Sequence, residues 1–307
     1  MKQLLQSLKN GKTQIVDVPV PLCGDKEILV ETSRTLISSG TERMLVEFGK
    51  GNFIQKARSN PDKVRMIYEK AVTDGIFSSI DAVRSKLDQP FALGYCNVGK
   101  VVESRVEGFA IGDRIVSNGK HADFVVVPKN LSAKIPVNMC DDEAVFVVQG
   151  AISLQGIRLA NTTIGECVAV IGLGLIGLIS VQILKAHGCK VLAIDLDTER
   201  LELARKFGAE TVDLKKGEDF LVEAGVFSRG QGVDAVIITA STSDDKIISQ
   251  AASISRKRGR IVLVGQVGLG LKRSDFYEKE LTFQVSCSYG PGRYDPYYED
   301  DGYDYPA

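Results

Sequence analysis

Gly172, Gly174 and Gly177 stand in G-x-G-x-x-G spacing within VAVIGLGLIGLISVQILKAHG, and Asp195 closes the apolar run KVLAID about 20 residues further on. Each of these residue types has a task in holding a dinucleotide. Gly172 permits the tight turn, Gly174 lets the backbone approach a pyrophosphate, and Gly177 lets the following helix pack closely on its strand. Leu175 and Ile176 open that helix, whose N-terminal dipole attracts phosphate charge. Asp195 can accept hydrogen bonds from both ribose hydroxyls, and its charge opposes a 2′-phosphate, so the pattern favours NAD over NADP. Thr239, Val264 and Gly265 end two later apolar runs, DAVIITAS and GRIVLVGQ, where a dinucleotide would lie. The plain alternative is a nucleotide-free sheet that uses its glycines for packing. A second stretch, ALGYCNVG at 92–99, holds Tyr95 and Cys96 between two glycines. Those side chains could bind a metal, move a proton or fill a core.

The elements that must position these residues fall into two textures. The first 40 residues alternate short β-type runs such as TQIVDVPV and EILVETSRTLI with turn residues, and strand texture returns with NVGKVVESRV, GDRIVSNG and HADFVVVP. Between them, residues 43–90 are rich in helix formers with apolar residues at 3–4 spacing, which predicts a helical insertion, either packed or serving as a lid. From about 150 onward helical stretches alternate with the apolar strands CVAVIGLG, KVLAIDLD, DAVIITAS, GRIVLVGQ and ELTFQVSCSYG, the pattern of a doubly wound parallel sheet. The predicted class is therefore α/β, with domains at 1–145 and 146–290. The tail, 291–307, is acidic, tyrosine-rich and unsuited to a core, and reads as truncated.

Composition narrows the function. The 307 residues carry a net charge of −1, which gives nucleic-acid binding no electrostatic support. No apolar run reaches the ~18 residues of a membrane span, and the N-terminus lacks a signal-peptide core. The six cysteines, at 23, 96, 140, 167, 189 and 287, form no CxxC pair, which argues against a disulfide framework and suits a reducing cytoplasm.

Several segments together resemble the medium-chain dehydrogenase/reductase family of zinc-type alcohol dehydrogenase-like proteins. They are SSGTE at 38–42, ALGY…NVGKVVE, GFAIGDRIV at 108–116, GKHADFVVVP at 119–128, LELARKFGAETV at 201–212 and EKELTFQVSCSYG at 278–290. The resemblance implies a GroES-like β-barrel domain carrying the insertion, joined to an NAD-binding Rossmann domain, with the active site in the cleft between them. It also sets Arg200 beside the adenosine ribose, a surface helix arginine being the alternative.

Zinc-dependent members of this family hold a catalytic metal with cysteine, histidine and a third cysteine or acidic ligand. Here the corresponding positions read Ser39, Tyr95 with Cys96 beside it, and, near the third position, Val147. A tetrahedral zinc centre needs thiolate, imidazole or carboxylate donors converging on the ion. The expectation is no metal there and none at the family's structural site, whose four-cysteine lobe is missing. Proton handling then falls to Ser39, Thr41 and Tyr95, with Tyr95 either a donor to the substrate oxygen or only a pocket wall. Glu42 takes the place of an orienting acid, and His121 that of a structural barrel histidine.

SSGTER, SNPDKVR, LGYCN and SYGPGRYDP further resemble the dehydrogenase half of bacterial bi-domain oxidoreductases fused to a Gfo/Idh/MocA-type module, often in surface-polysaccharide gene clusters. That implies a sugar or nucleotide sugar as substrate and a fused or partner Gfo/Idh/MocA-type module. The strand ELTFQVSCSYG resembles the wider family's edge strand that pairs across a two-fold, which implies a homodimer, the alternative being that a further C-terminal part covers that edge. The expected function is a zinc-free, NAD-dependent oxidoreductase of a hydroxyl or carbonyl. The alternatives are an NADPH-type quinone or enoyl reductase, and a catalytically silent nucleotide-binding half.

Overall fold

Short β-type runs separated by turn residues build the first half of the chain and longer apolar runs between helical stretches build the second, and the computed structural model shows the consequence of each. It describes residues 1–7, 10–40, 42, 43, 46, 47, 90–299, 301 and 302, so the predicted insertion, Arg43, Val46, Glu47 and Pro90 aside, lies outside the described residues. The chain separates into two units, Met1–Val147 and Val148–Ala307.

In the first unit β1 (Lys2–Gln6), β2 (Thr13–Asp17) and β4 (Phe91–Ala92) form a small antiparallel sheet. The strands β3 (Glu27–Thr35), β5 (Asn97–Ser104), β6 (Arg114–Ser117), β7 (Phe124–Pro128) and β8 (Ser132–Lys134) form an antiparallel sheet ordered β7-β3-β5-β6-β8. A bridge between Gln3 and Ala122 joins the two sheets. Ile28, Val30, Val101, Ile115, Val125 and Val127 form one apolar cluster, and Val98 and Val116 a second, with Ala144 and Val145 from the short helix α1 (Asp141–Ala144) and its C-cap. At the start of α1, Asp141 accepts hydrogen bonds from the Ser33 hydroxyl at 2.6 Å and from Arg114 Nε at 3.0 Å. The Ser33 hydroxyl and then the Arg114 guanidinium hold this carboxyl below its ordinary value, against the opposing pull of burial.

A carboxylate with a depressed folded-state pKa stabilises the fold fully above its ordinary pKa, and that contribution is lost as pH falls through the folded value. Circular dichroism between pH 6 and 2 is therefore expected to show stability falling below about pH 4, the ordinary aspartate range. Asp141→Asn should flatten that fall and lower stability at neutral pH; an unchanged acid profile would contradict the role given to this residue.

In the second unit α2 (Val147–Ala160) leads into β9 (Cys167–Ile171), after which come α3 (Leu175–Ala186), β10 (Lys190–Asp195), α4 (Thr198–Lys206) and β11 (Glu210–Asp213). The chain continues with α5 (Phe220–Phe227), β12 (Val233–Ile238), α6 (Lys246–Ile254), β13 (Ser255–Leu263) and β14 (Thr282–Val285). All six strands pair in parallel, in the order β11-β10-β9-β12-β13-β14. Side chains alternate across the sheet, so Ala169 and Ile171 join one apolar cluster while Val168 and Val170 join the other. Both faces are thus covered, as the unbroken apolar runs require.

Two polar devices fasten this unit. Arg260 reaches both carboxylate oxygens of Glu166 at 2.7 Å and the carbonyl of Asn161 at 2.8 Å, tying β13 to the loop before β9. Lys279 donates to the carbonyls of Ala252, Ser253 and Ser255 at 2.7–2.9 Å, placing a cation where the C-terminal dipole of α6 is negative.

The sequence reading differs from this fold in two places. It has five strands in the second half, whereas the sheet has six: Glu210–Asp213, not among the five, is the edge strand β11. The run ELTFQVSCSYG forms a strand only over Thr282–Val285. The described part of the tail makes two short helical turns, Pro291–Arg293 and Pro296–Glu299.

Candidate cofactor site and proton-handling positions

The strand order reverses between β9 and β12, and the residues singled out for a dinucleotide gather at the carboxyl ends of β9, β10, β12 and β13 around that point. Gly172 follows β9 with φ +94°, and a Cβ there would lie 2.6 Å from the backbone nitrogen of Ala240. Gly177 is tighter still: its Cβ would meet the Gly172 carbonyl at 2.0 Å. Thr239 locks the turn by donating its hydroxyl to the Gly172 carbonyl. Gly174 is different. A Cβ added there meets nothing within 4 Å, and the residue caps α3 with no side-chain hydrogen bond, so the helix N-terminus opens onto free space. Leu175 and Ile176, partly exposed, form the first turn behind it.

Asp195 faces this loop. One carboxylate oxygen accepts from the backbone N–H of Leu173, and the other from those of Leu196 at 2.7 Å and Asp197 at 2.8 Å. Three of roughly four acceptor positions on a carboxylate are therefore taken, so Asp195 has one left for a ribose hydroxyl rather than the two expected from the sequence. Arg200 is directed to Asp197, Nε to Oδ2 at 3.2 Å, while Asp197 caps α4 through the N–H groups of Glu199 and Arg200. Val264 and Gly265 both donate to the Ile238 carbonyl at 2.9 Å, and a Cβ on Gly265 would sit 2.1 Å from the Ala240 carbonyl. These residues, with an open helix N-terminus beside a fixed carboxylate, fit the pyrophosphate and ribose of a dinucleotide.

In the first unit Ser39 is exposed, Tyr95 half-buried and Cys96 buried, and Thr41 lies outside the described residues. The segments around them meet: the N–H of Leu36 donates to the Cys96 carbonyl at 3.2 Å. Glu42, read from sequence as an orienting acid, has its partner in His121, Oε2 to Nε2 at 2.9 Å, with both side chains buried. No short-range signal marks that pairing, because 79 residues separate the two. The donors at the zinc-ligand positions are a hydroxyl, a phenol beside one thiol, and a valine, and they do not fit a tetrahedral zinc centre. Among the described residues no group of three or more His, Cys, Asp or Glu could hold a metal ion.

The cysteines divide by burial. Cys23, Cys96 and Cys189 are buried and Cys140 and Cys287 exposed, and burial raises the Cys23 and Cys189 thiols above their ordinary value. A thiol reagent at neutral pH is expected to label Cys140 and Cys287 quickly, and Cys23, Cys96 and Cys189 only after denaturation. Rapid labelling of Cys189 in the native protein would contradict the packing given to it.

Residues 176–300 match the family model described as zinc-binding dehydrogenase. The D-guloside 3-dehydrogenase of Escherichia coli (strain K12) is 31% identical over 170 residues, covering 53% of this chain and 49% of that protein. The (R,R)-butanediol dehydrogenase of Bacillus subtilis (strain 168) is 27% identical over 232 residues, covering 65% and 66%. The crystal structure of 2R,3R-butanediol dehydrogenase from Bacillus subtilis aligns with a TM-score of 0.73 at 20% identity, over 99% of this chain and 89% of that one. Residues 176–300 are thus similar to zinc-binding dehydrogenases, and the chain shares the fold of the solved butanediol dehydrogenase. Its first unit is accordingly GroES-like and its second a Rossmann domain. The chain spans about half the length of the guloside dehydrogenase that it matches. A solved zinc-binding dehydrogenase from Sinorhizobium meliloti 1021, aligned at 22% identity with a TM-score of 0.71, is bound to NADP. Among the described residues no helix is long and apolar enough to cross a membrane.

Proposed function

We propose that this chain is the dehydrogenase unit of an NAD-dependent, zinc-independent oxidoreductase acting on a hydroxyl or carbonyl of a polyol or sugar-like substrate, a sugar or nucleotide sugar being the first class to try. The observation that carries the reading is the carboxylate of Asp195, fixed by three backbone N–H groups against the open N-terminus of α3. Bound nicotinamide supplies the hydride acceptor or donor. The residues of the chain do the remainder: the glycine loop holds the pyrophosphate, Asp195 orients the ribose and repels a 2′-phosphate, and Ser39, Thr41 and Tyr95 handle the proton. Tyr95 is the donor toward the substrate oxygen in the direction of reduction. The names of the guloside and butanediol dehydrogenases support a hydroxyl-bearing substrate. The short edge strand β14, with Thr282, Gln284 and Val285 exposed, supports pairing of two copies as a homodimer. A Gfo/Idh/MocA-type module, fused or separate, is the companion that the sequence resemblance supports, and the cytoplasm the compartment.

The test is NADH formation from a panel of polyols and sugars in the presence of a chelator. Activity is expected to survive chelation, and Tyr95→Phe to lower kcat roughly a hundredfold, the small end of proton-transfer effects because two other hydroxyls remain. Full turnover in Tyr95→Phe would remove the phenol from the chemistry. A second reading, a nucleotide-binding half without chemistry of its own, is favoured by the unsuited zinc positions; it predicts NADH binding with no turnover on any substrate. A quinone or enoyl reductase would instead prefer NADPH, which the charge of Asp195 opposes.

A further inference from the structure

The Glu42–His121 pair lies outside both the cofactor loop and the proton-handling hydroxyls, yet it touches the segments that carry the hydroxyls. Glu42 accepts from the Ser38 N–H through Oε1 at 2.9 Å and donates its own N–H to the Ser38 carbonyl at 3.0 Å, closing a turn with Ser39 inside it. Its other oxygen meets His121 Nε2 at 2.9 Å. His121 in turn donates its backbone N–H to the Leu93 carbonyl at 2.9 Å. Gly94, at φ +95°, lies flush on it: a Cβ there would stand 2.5 Å from the His121 nitrogen and 2.7 Å from the ring carbon Cγ. The next residue is Tyr95. The backbone of His121 is also anchored from the other side, because its carbonyl accepts from Leu4 of β1 at 2.9 Å. One buried carboxylate–imidazole contact thus joins the turn bearing Ser39 to the loop bearing Tyr95.

The ring has a defined hydrogen-bonding state. A carboxylate only accepts, so Nε2 must carry the proton it shares with Glu42. His121 Nδ1 is buried and has no hydrogen-bond partner among the described residues. A proton there would be a buried donor without an acceptor, so Nδ1 is left as a lone pair.

We infer that Glu42 and His121 are positioning residues, a clamp that fixes Ser39 and Tyr95 relative to one another through an imidazole protonated at Nε2. This rests on the proposed dehydrogenase chemistry for its consequence and on the hydrogen bonds alone for its geometry, and the two are tested apart. The chain has two histidines, and His187 is bonded through Nε2 to the Thr162 carbonyl at 3.0 Å. Nitrogen-15 spectra of the histidine-labelled protein, assigned with a His187→Gln variant, are expected to show His121 protonated at Nε2 and bare at Nδ1. Glu42→Gln keeps one amide oxygen where the carboxylate had two, so it cannot accept from both the Ser38 N–H and the Nε2 proton, and the His121 nitrogen signals should move. In turnover assays His121→Ala should lower kcat at least tenfold while KM for NAD changes less than twofold, because the loop that holds the cofactor is in the other unit. His121→Gln, which keeps a donor for Glu42, should restore part of the loss. A wild-type proton on Nδ1, or no movement in Glu42→Gln, would overturn the clamp. So would a folded His121→Ala protein with unchanged kcat. Absence of turnover in the wild type would defeat the dehydrogenase reading, leaving the tautomer to decide the clamp.

Discussion

Gly174→Ala is expected to leave the thermal midpoint of the protein unchanged while weakening NADH roughly 5- to 150-fold. The dissociation follows from what surrounds the residue. A Cβ at 174 meets no atom within 4 Å and the backbone sits at φ −64°, so folding neither resists the methyl group nor strains to accommodate it. The same empty space is where a pyrophosphate must approach the backbone, and a methyl group forced into a filled contact costs about 1–3 kcal/mol, a tenfold loss for every 1.4 kcal/mol. Gly177→Ala is the opposite case. Its Cβ would lie 2.0 Å from the Gly172 carbonyl, a backbone atom that can move only with the turn. That variant should lose thermal stability as well as NADH binding. Calorimetry and fluorescence titration of the two proteins separate the outcomes. Equal stability loss in both, or undiminished NADH binding by Gly174→Ala, would show that the loop is not a phosphate cradle.

Asp195→Ala is expected to abolish most of the preference for NADH over NADPH. Removing a charged acceptor for a ribose hydroxyl costs about 1–3 kcal/mol, or roughly 5- to 150-fold in NADH affinity. For NADPH the loss is offset by relief of repulsion between two negative charges. Since Asp195 also accepts from Leu173, Leu196 and Asp197, its removal loosens the loop for both cofactors. The ratio of the two affinities cancels that common part and reports the ribose contact alone. A ratio that survives the substitution would assign cofactor choice to other residues.

The glycine turn after β9 was legible in the sequence because its requirements are local. Gly172, Gly174 and Gly177 are each dictated by backbone geometry within one turn, and the flanking apolar runs are long enough to announce β9, α3 and β10. The edge strand β11 was not legible: Glu210, Thr211, Val212 and Asp213 alternate weakly over four residues and follow a strong helix pattern. The use of Asp195 by its own backbone was hidden for another reason, since the pattern shows that a carboxylate is present but not how many N–H groups reach it. Least legible was the partner of Glu42. A pairing across 79 residues depends on how the turn after β3 and the segment between β6 and β7 are brought together, and no periodicity in either segment points to the other. The proton-handling positions rest on family resemblance alone; the structure puts Ser39 on an exposed turn and Tyr95 half-buried, with Thr41 outside the described residues.

Titration of the unmodified protein with NADH and with NADPH, followed by nicotinamide fluorescence, addresses the carboxylate-and-loop site most directly. Saturable binding of NADH at least tenfold tighter than NADPH is the result required by a fixed negative charge beside an open helix N-terminus. Failure of either cofactor to bind, or a preference for NADPH, would contradict it.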